Sequence, residues 1–270
     1  MPEPSPARWQ PTLLIRATFA LHALALIAVI TLPSQWRWAL GAVVINHALL
    51  TLLGLLPRSN WLGPNWTRLP ATATARNEIA LTIDDGPDPA VTPQVLDILD
   101  QHGAQATFFC FGEQAAKYPE LCREIVRRGH AVENHSQHHH HHFSLLGYFG
   151  VLRELQAAQD AITTITGQHP LFFRAPAGLR NPFLDPVLSR LGLQLASWST
   201  RAFDTRIGDV ERVKSKLLGG LQAGAILLLH DGNAARTPDG IPVILDVLPT
   251  VLASATAADL RFVTLRQALS

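Results

Sequence analysis

Four short polar clusters contain residue types able to bind a metal or move protons. The first is Thr82-Ile83-Asp84-Asp85-Gly86-Pro87. Two adjacent carboxylates before a Gly-Pro turn can divide two tasks, one ligating a metal while the other accepts a proton. Standing alone, the same pair is a solvated acidic turn. The second cluster is Asn134-His135-Ser136-Gln137-His138-His139. His135 and His139 are four residues apart, which puts both imidazoles on one face of a helical turn. One carboxylate and two imidazoles leave coordination positions open for water, as catalytic zinc sites do. The unbroken tract from His138 to His142 blurs the register, because His138 and His142 are also four apart. Spacing alone does not choose the pair, and by itself the tract is an adventitious metal binder. The third cluster, Phe173-Arg174-Ala175-Pro176-Ala177-Gly178, offers an arginine that would hold a neighbouring carboxylate ionised. The last, Ile226-Leu227-Leu228-Leu229-His230-Asp231, brings a histidine to the end of an apolar run, either as a core residue or as a general acid.

The elements that must position these clusters follow from the apolar pattern. Strand-like runs are expected at 79–83, 106–111, 131–133, 171–174, 194–198, 226–229 and 261–264, with helices near 92–101, 114–128, 151–166, 182–190, 210–221 and 243–252. This alternation predicts a parallel sheet flanked by helices. About seven such units in residues 78–270 suit a small or incomplete barrel. The polar clusters fall just after the strands, the edge on which parallel barrels build their sites.

Together the clusters resemble the polysaccharide deacetylases, the NodB-homology family also called carbohydrate esterase family 4. TIDDGP is similar to the family's T-F-D-D-G-P, HSQHH to H-S/T-x-x-H, RAPAG to R-x-P-Y-G, and LLLHD to L-x-H-D, in the family's order from about Ile79 to Thr264. The resemblance implies an α/β fold, a deformed (β/α)7-type barrel. Carried over position by position, it implies Asp84 as catalytic base, and Asp85, His135 and His139 as metal ligands, which selects one register of the histidine tract. Arg174 matches the arginine that orients and tunes the base. His230 matches the catalytic acid and Asp204 the aspartate supporting it. Ala177 and Leu228 stand at the substrate and oxyanion side. Departures cluster there: Ala177 replaces the tyrosine of R-x-P-Y-G, and in D-x-x-D-W Arg201 replaces the first aspartate and Thr205 the tryptophan.

The implied reaction is metal-assisted hydrolysis of an N-acyl group from an amino sugar, in a glycan or a lipid-linked saccharide. Zn2+ is the first choice of metal, with Co2+ and Ni2+ as alternatives. A catalytically silent carbohydrate-binding member of the fold and a His-rich metal-handling membrane protein are the competing readings. The complete set of Asp84, Asp85, His135, His139 and His230 argues for the enzyme.

Composition adds the setting. The 270 residues are 47% hydrophobic and 16% charged, well below the quarter charged of an ordinary soluble domain. Net charge is +1, so no electrostatic footprint for nucleic acid is present. Two cysteines, Cys110 and Cys122, build no disulfide framework.

Five of the six tryptophans, Trp9, Trp36, Trp38, Trp61 and Trp66, bracket two apolar stretches at 12–32 and 38–56. Stretches of roughly 20 residues match a hydrocarbon core of about 30 Å, and tryptophan belts mark its edges. The expected organisation is a tail at 1–11, a transmembrane helical hairpin at 12–56, a linker at 57–77 and the deacetylase-like domain at 78–270. Arginines flank the outer ends (Arg8, Arg16, Arg58, Arg68, Arg76), against Arg37 alone in the turn. The positive-inside rule then places both termini and the domain on the cytoplasmic side of a bacterial-type inner membrane, with a periplasmic placement as the alternative.

Overall fold

The computed structural model describes residues 9–270; Arg8 and most of the expected tail lie outside the described residues. Two helices open the chain, α1 (Leu13–Thr31) and α2 (Trp36–Gly54), joined by a tight 3-10 turn at Pro33–Gln35. The Thr12 hydroxyl caps α1 by accepting from the Ile15 N–H. Both are long and apolar enough to cross a membrane. Their apolar side chains point outward: Phe19, Ile30 and Ile45 are 61%, 69% and 70% exposed. A buried core helix would hide these groups, each worth roughly 1.5–3 kcal/mol on transfer from water. Two polar contacts cross the pair. The Thr18 hydroxyl donates to Asn46 Oδ1 at 3.2 Å, and His22 Nε2 lies 3.2 Å from His47 Nε2.

The rest of the chain is a curled parallel half-barrel. Its elements are α3 (Ala71–Ala75), β1 (Glu78–Asp84), α4 (Thr92–Gln101), β2 (Ala106–Cys110), α5 (Gly112–Lys117), α6 (Pro119–Arg127), β3 (Ala131–Asn134), α7 (Tyr148–Thr166), β4 (Phe172–Phe173), α8 (Leu184–Leu191), β5 (Gln194–Leu195), β6 (Thr200–Arg201), α9 (Val210–Leu218), β7 (Ile226–His230), α10 (Val243–Ala257) and β8 (Arg261–Phe262). The strands lie in the order β5-β4-β3-β2-β1-β7-β6, with β8 beside the start of β1. Every strand pairing is parallel. The alternation expected from sequence is therefore present, with two differences. The helix expected at 114–128 is split at Pro119, whose ring forbids the preceding residue from continuing a helix. The two-residue strand β6 was too short to leave a pattern.

All seven residues of β1 are buried, as expected of a parallel strand covered on both faces. Ile79, Leu81 and Ile83 face the outer helices with Val95, Leu96 and Leu248. Ala80 faces the barrel interior with Phe109, Phe172, Trp198 and Leu228. The same alternation turns Thr82 and Asp84 inward.

Residues 57–77, expected as a linker, are packed into the domain. Trp66 adds a parallel bridge beside β5: its N–H donates to Leu195 O, and the Ser197 N–H donates to Trp66 O. The root of the hairpin is clamped to the same edge. The Arg180 N–H donates to Gly54 O at 3.2 Å and the Ser197 hydroxyl to Pro57 O at 2.7 Å. Arg58 Nη1 donates to Ser199 O at 3.1 Å. Gly54 permits this approach, since a Cβ there would meet Arg180 O at 2.2 Å.

Candidate active site

The carboxyl ends of β1, β3, β4 and β7 bring the sequence-predicted residues together at one mouth. Asp84 and His230 are register partners on β1 and β7. Arg174, just after β4, runs through the barrel interior and is 1% exposed. Its Nη1 donates to Asp84 Oδ1 at 2.7 Å and to the Thr82 hydroxyl at 2.8 Å. Nε and Nη2 donate to Ala196 O and Ser197 O, and the guanidinium lies 4.2 Å from the Phe109 ring centre. Burial lowers the Arg174 pKa and the Asp84 carboxylate opposes that. Asp84 is thus held from below through Oδ1, with Oδ2 3.9 Å from His135 Nε2.

Asp85 turns away from Asp84. Its Oδ1 lies 3.3 Å from His135 Nε2 and 3.1 Å from His139 Nε2. Burial pushes the Asp85 carboxyl up, but His135, with help from His230 and His139, outweighs it and holds the group well below the usual carboxylate range. Burial likewise lowers the His139 pKa. His135 Nδ1 donates to Arg174 O at 2.8 Å, which orients the ring with Nε2 toward Asp85. Three possible ligand atoms, one each from Asp85, His135 and His139, lie within 4.8 Å of one another, an arrangement that a divalent cation satisfies. The remaining histidines of the tract turn elsewhere. His138 Nδ1 donates to Glu154 Oε1 at 2.8 Å, and the His138, His140 and His142 rings form a stack.

On the other side of Asp84, His230 is 5% exposed and donates from Nδ1 to Asp204 Oδ1 at 3.0 Å. The His230 N–H holds the second Asp204 oxygen at 2.7 Å. Burial lowers the His230 pKa, but Asp204 outweighs it and the value ends above the ordinary histidine range. Ala177 is exposed at the rim with a left-handed φ of 54°. Leu228 is buried in the barrel interior below the site. The structure thus places it as a floor residue, since its β7 position turns it inward two residues before the mouth.

Strain gathers here. Of the non-glycine residues with positive φ among the described residues, Asp85, Ser136, His139, Ala177, Phe203 and Asn233 belong to these strand-end loops. Such conformations cost on the order of 1–3 kcal/mol each and persist where surroundings impose them. Sequence reading passed over Asn233, whose Nδ2 reaches Asp85 Oδ2 at 3.4 Å, and Thr92, whose hydroxyl bonds the Asp231 carboxylate. Burial pushes Asp231 up to about 7. The available signal was the polar run continuing past His230 through Asp231 and Asn233.

Comparison with known proteins agrees with this geometry. A family model described as polysaccharide deacetylase matches residues 71–196. A chitooligosaccharide deacetylase of Bradyrhizobium sp. (strain ANU 289) is 39% identical over 57% of this chain and 70% of its own length. The chain belongs to the polysaccharide deacetylase family. Among solved members, a peptidoglycan N-acetylglucosamine deacetylase in complex with 4-naphthalen-1-yl-N-oxidanyl-benzamide superposes with a TM-score of 0.68 at 26% identity, covering 75% of this chain and 91% of that one. A family 4 carbohydrate esterase from Streptomyces lividans in complex with acetate gives 0.62 at 30% identity, covering 68% of this chain and 91% of that one. The polysaccharide deacetylase barrel here thus carries a candidate metal-binding group at Asp85, His135 and His139 and a hydrogen-bonded His230–Asp204 pair on opposite sides of Asp84.

Proposed function

We propose that the chain is a Zn2+-dependent N-deacetylase of amino-sugar glycans, working at a membrane on a lipid-borne saccharide. The observation that carries the reaction is the placement of Asp84 between the Asp85–His135–His139 group and the His230–Asp204 pair. Asp85, His135 and His139 would hold the metal. When bound, Zn2+ polarises the amide carbonyl and lowers the pKa of water toward about 7. Asp84, oriented by Arg174, takes the proton from the attacking water. The Ala177 N–H donates to the developing oxyanion, a contribution often worth about 3 kcal/mol. His230 delivers a proton to the departing nitrogen, since an amine leaves poorly unless protonated. Asp204 keeps that imidazole oriented and charged. The names of the relatives, acting on chitooligosaccharides and on peptidoglycan N-acetylglucosamine, support an N-acetylated substrate.

The membrane part rests on the hairpin at 12–56, whose outward apolar faces suit lipid. A groove of about 770 Å3 at its root is lined by Leu13, Leu14, Leu53, Leu56, Pro57 and Arg58. Pro57 abuts Gly178, next to Ala177 at the mouth, so an acyl or isoprenoid chain in the groove would carry its headgroup toward Asp84. The arginine distribution supports a cytoplasmic domain. The full chain loaded with Zn2+ should release acetate from chitotetraose, followed by enzymatic acetate assay. A metal-loaded protein that releases none would overturn the deacetylase reading. Reporter fusions at Ser270 test the orientation separately: an active periplasmic alkaline phosphatase there reverses it.

A further inference from the structure

The least explained charge near the mouth is Arg201. Its strand partner on β7 is Leu228, which faces the barrel interior, so Arg201 is turned to the same inner face as Arg174. The neighbouring Thr200 turns outward, against Gly220. The Arg201 guanidinium lies 5.2 Å from the Trp198 ring centre and 5.2 Å from that of Phe203. Arg174 reaches the other side of this environment, 5.9 Å from the same Trp198 ring. Unlike Arg174, Arg201 has no carboxylate against it among the described residues, and its Nε is buried without a hydrogen-bond partner there. A half-exposed cation held by ring faces, with no carboxylate against it among the described residues, is a natural partner for an anion.

The surroundings extend the feature toward the membrane. Phe203 is held at φ 59° and 42% exposed, with Lys216 Nζ 4.9 Å from its ring centre. Arg58, at the head of the hairpin groove, donates to Ser199 O, two residues before Arg201. Neither Arg58 nor Lys216 makes an ion pair among the described residues. The nearest carboxylate along the chain, Asp204, is occupied by both the N–H and the ring of His230. Arg58 at the groove and Arg201 at the mouth thus flank Ser199, and neither has an ion pair among the described residues.

We infer that Arg201, with Arg58, forms a phosphate-binding subsite, and that the amino sugar is joined to its lipid through a phosphate diester. This rests on the proposed deacetylase reading and deepens it. The groove would take the first part of the lipid, Arg58 and Arg201 the phosphate, and the space above Asp84 the N-acetyl group. The substrate-side departures then belong together. Ala177 and Thr205 remove ring surface, while Arg201 brings a positive charge, changing recognition from a run of neutral sugars to one charged headgroup.

The experiment uses the full, Zn2+-loaded chain in nanodiscs. Three substrates are compared: chitotetraose, a farnesyl-phosphoryl N-acetylglucosamine, and a disaccharide of N-acetylglucosamine and glucuronic acid. Wild type is expected to favour the phosphodiester over chitotetraose at least tenfold in kcat/KM. Arg201→Gln should reduce that preference about tenfold, mainly through KM, with Arg201→Lys restoring part of it and the surface variant Arg212→Gln behaving as wild type. Binding of the farnesyl compound, followed by calorimetry, should weaken by a similar factor in Arg201→Gln. Equal losses on all three substrates, unchanged binding, or a wild-type preference for the glucuronic acid disaccharide would each overturn the phosphate assignment. Tight, Arg201-dependent binding without acetate release would keep the subsite and overturn the deacetylase reading instead.

Discussion

The two sides of the catalytic mouth are built on opposite terms. Around Asp84, Arg174, His135 and His230, each group is buried and has a charged or hydrogen-bonding partner reached across the barrel. On the other side Ala177 and Phe203 are exposed, Ala177 and Arg201 depart from the family pattern, and half-buried Arg201 has ring faces in place of a carboxylate among the described residues. A buried charge or proton donor without its partner costs several kcal/mol, so the reacting side tolerates little change. An exposed rim bears no such cost and is free to follow the substrate. In the proposed mechanism, reaction type and substrate choice are therefore carried by different residues, and each should be alterable alone.

The largest effects belong to the reacting side. Asp85→Ala and His135→Ala should each lose stoichiometric metal, measured by elemental analysis of purified protein, together with activity. His141→Ala and His142→Ala should keep it, because neither belongs to the Asp85 group. Stoichiometric metal in both ligand variants would show that the ligands are elsewhere. Asp84→Asn should retain the metal yet lose about 10²–10⁴-fold in kcat, the span typical of a general base.

A finer division lies within the acid–base pair. His230→Ala should lose far more activity on an N-acetyl amide than on an acetate ester of an activated phenol, which departs without a proton. A gap of about 10²-fold is expected. Equal losses on the two substrates would make His230 a structural residue.

Asp204→Asn acts on the same histidine through its charge. In the native protein Asp204 outweighs burial and raises the His230 pKa, so the acid stays protonated to higher pH. Activity that needs protonated His230 is then lost as pH rises through the raised value. Removing the Asp204 charge leaves burial dominant, and the alkaline limb of the kcat profile should move to lower pH. The associated stability has the same sign: it is present below the unfolded histidine pKa and is lost as pH rises through the folded one. An unmoved alkaline limb would assign it to another group.

The smallest effect is expected on the rim. Ala177→Tyr adds a ring beside the mouth and should lower KM for chitotetraose about 2- to 10-fold with little change in kcat, as one aromatic contact contributes roughly 0.5–1.5 kcal/mol. A fall in kcat comparable to that of His230→Ala would mean that the two sides are not separable.

Much of this was readable along the chain. Asp84, Asp85 and His230 stand out because each closes an apolar run with a titratable group, and strand–helix alternation predicts the half-barrel that aligns them. The apolar faces of α1 and α2 follow from length and composition alone. Tertiary structure decided what depends on distant partners. Spacing could not choose among the histidines at 135–142; the fold sends His135 and His139 to Asp85, while Glu154 on α7 draws off His138. The segment at 57–77 reads as a linker because prolines and glycines punctuate it, yet Trp66 completes the sheet edge and Pro57 lies against Gly178. Whether Arg201 faced solvent or the barrel was invisible in a two-residue strand, and only its register with Leu228 turned it inward. The physical reason is the same each time. Local chemistry and periodicity are written in neighbouring residues, whereas the partner that satisfies a buried charge stands far away, 90 residues in the case of Arg174 and Asp84, and is brought near only by folding.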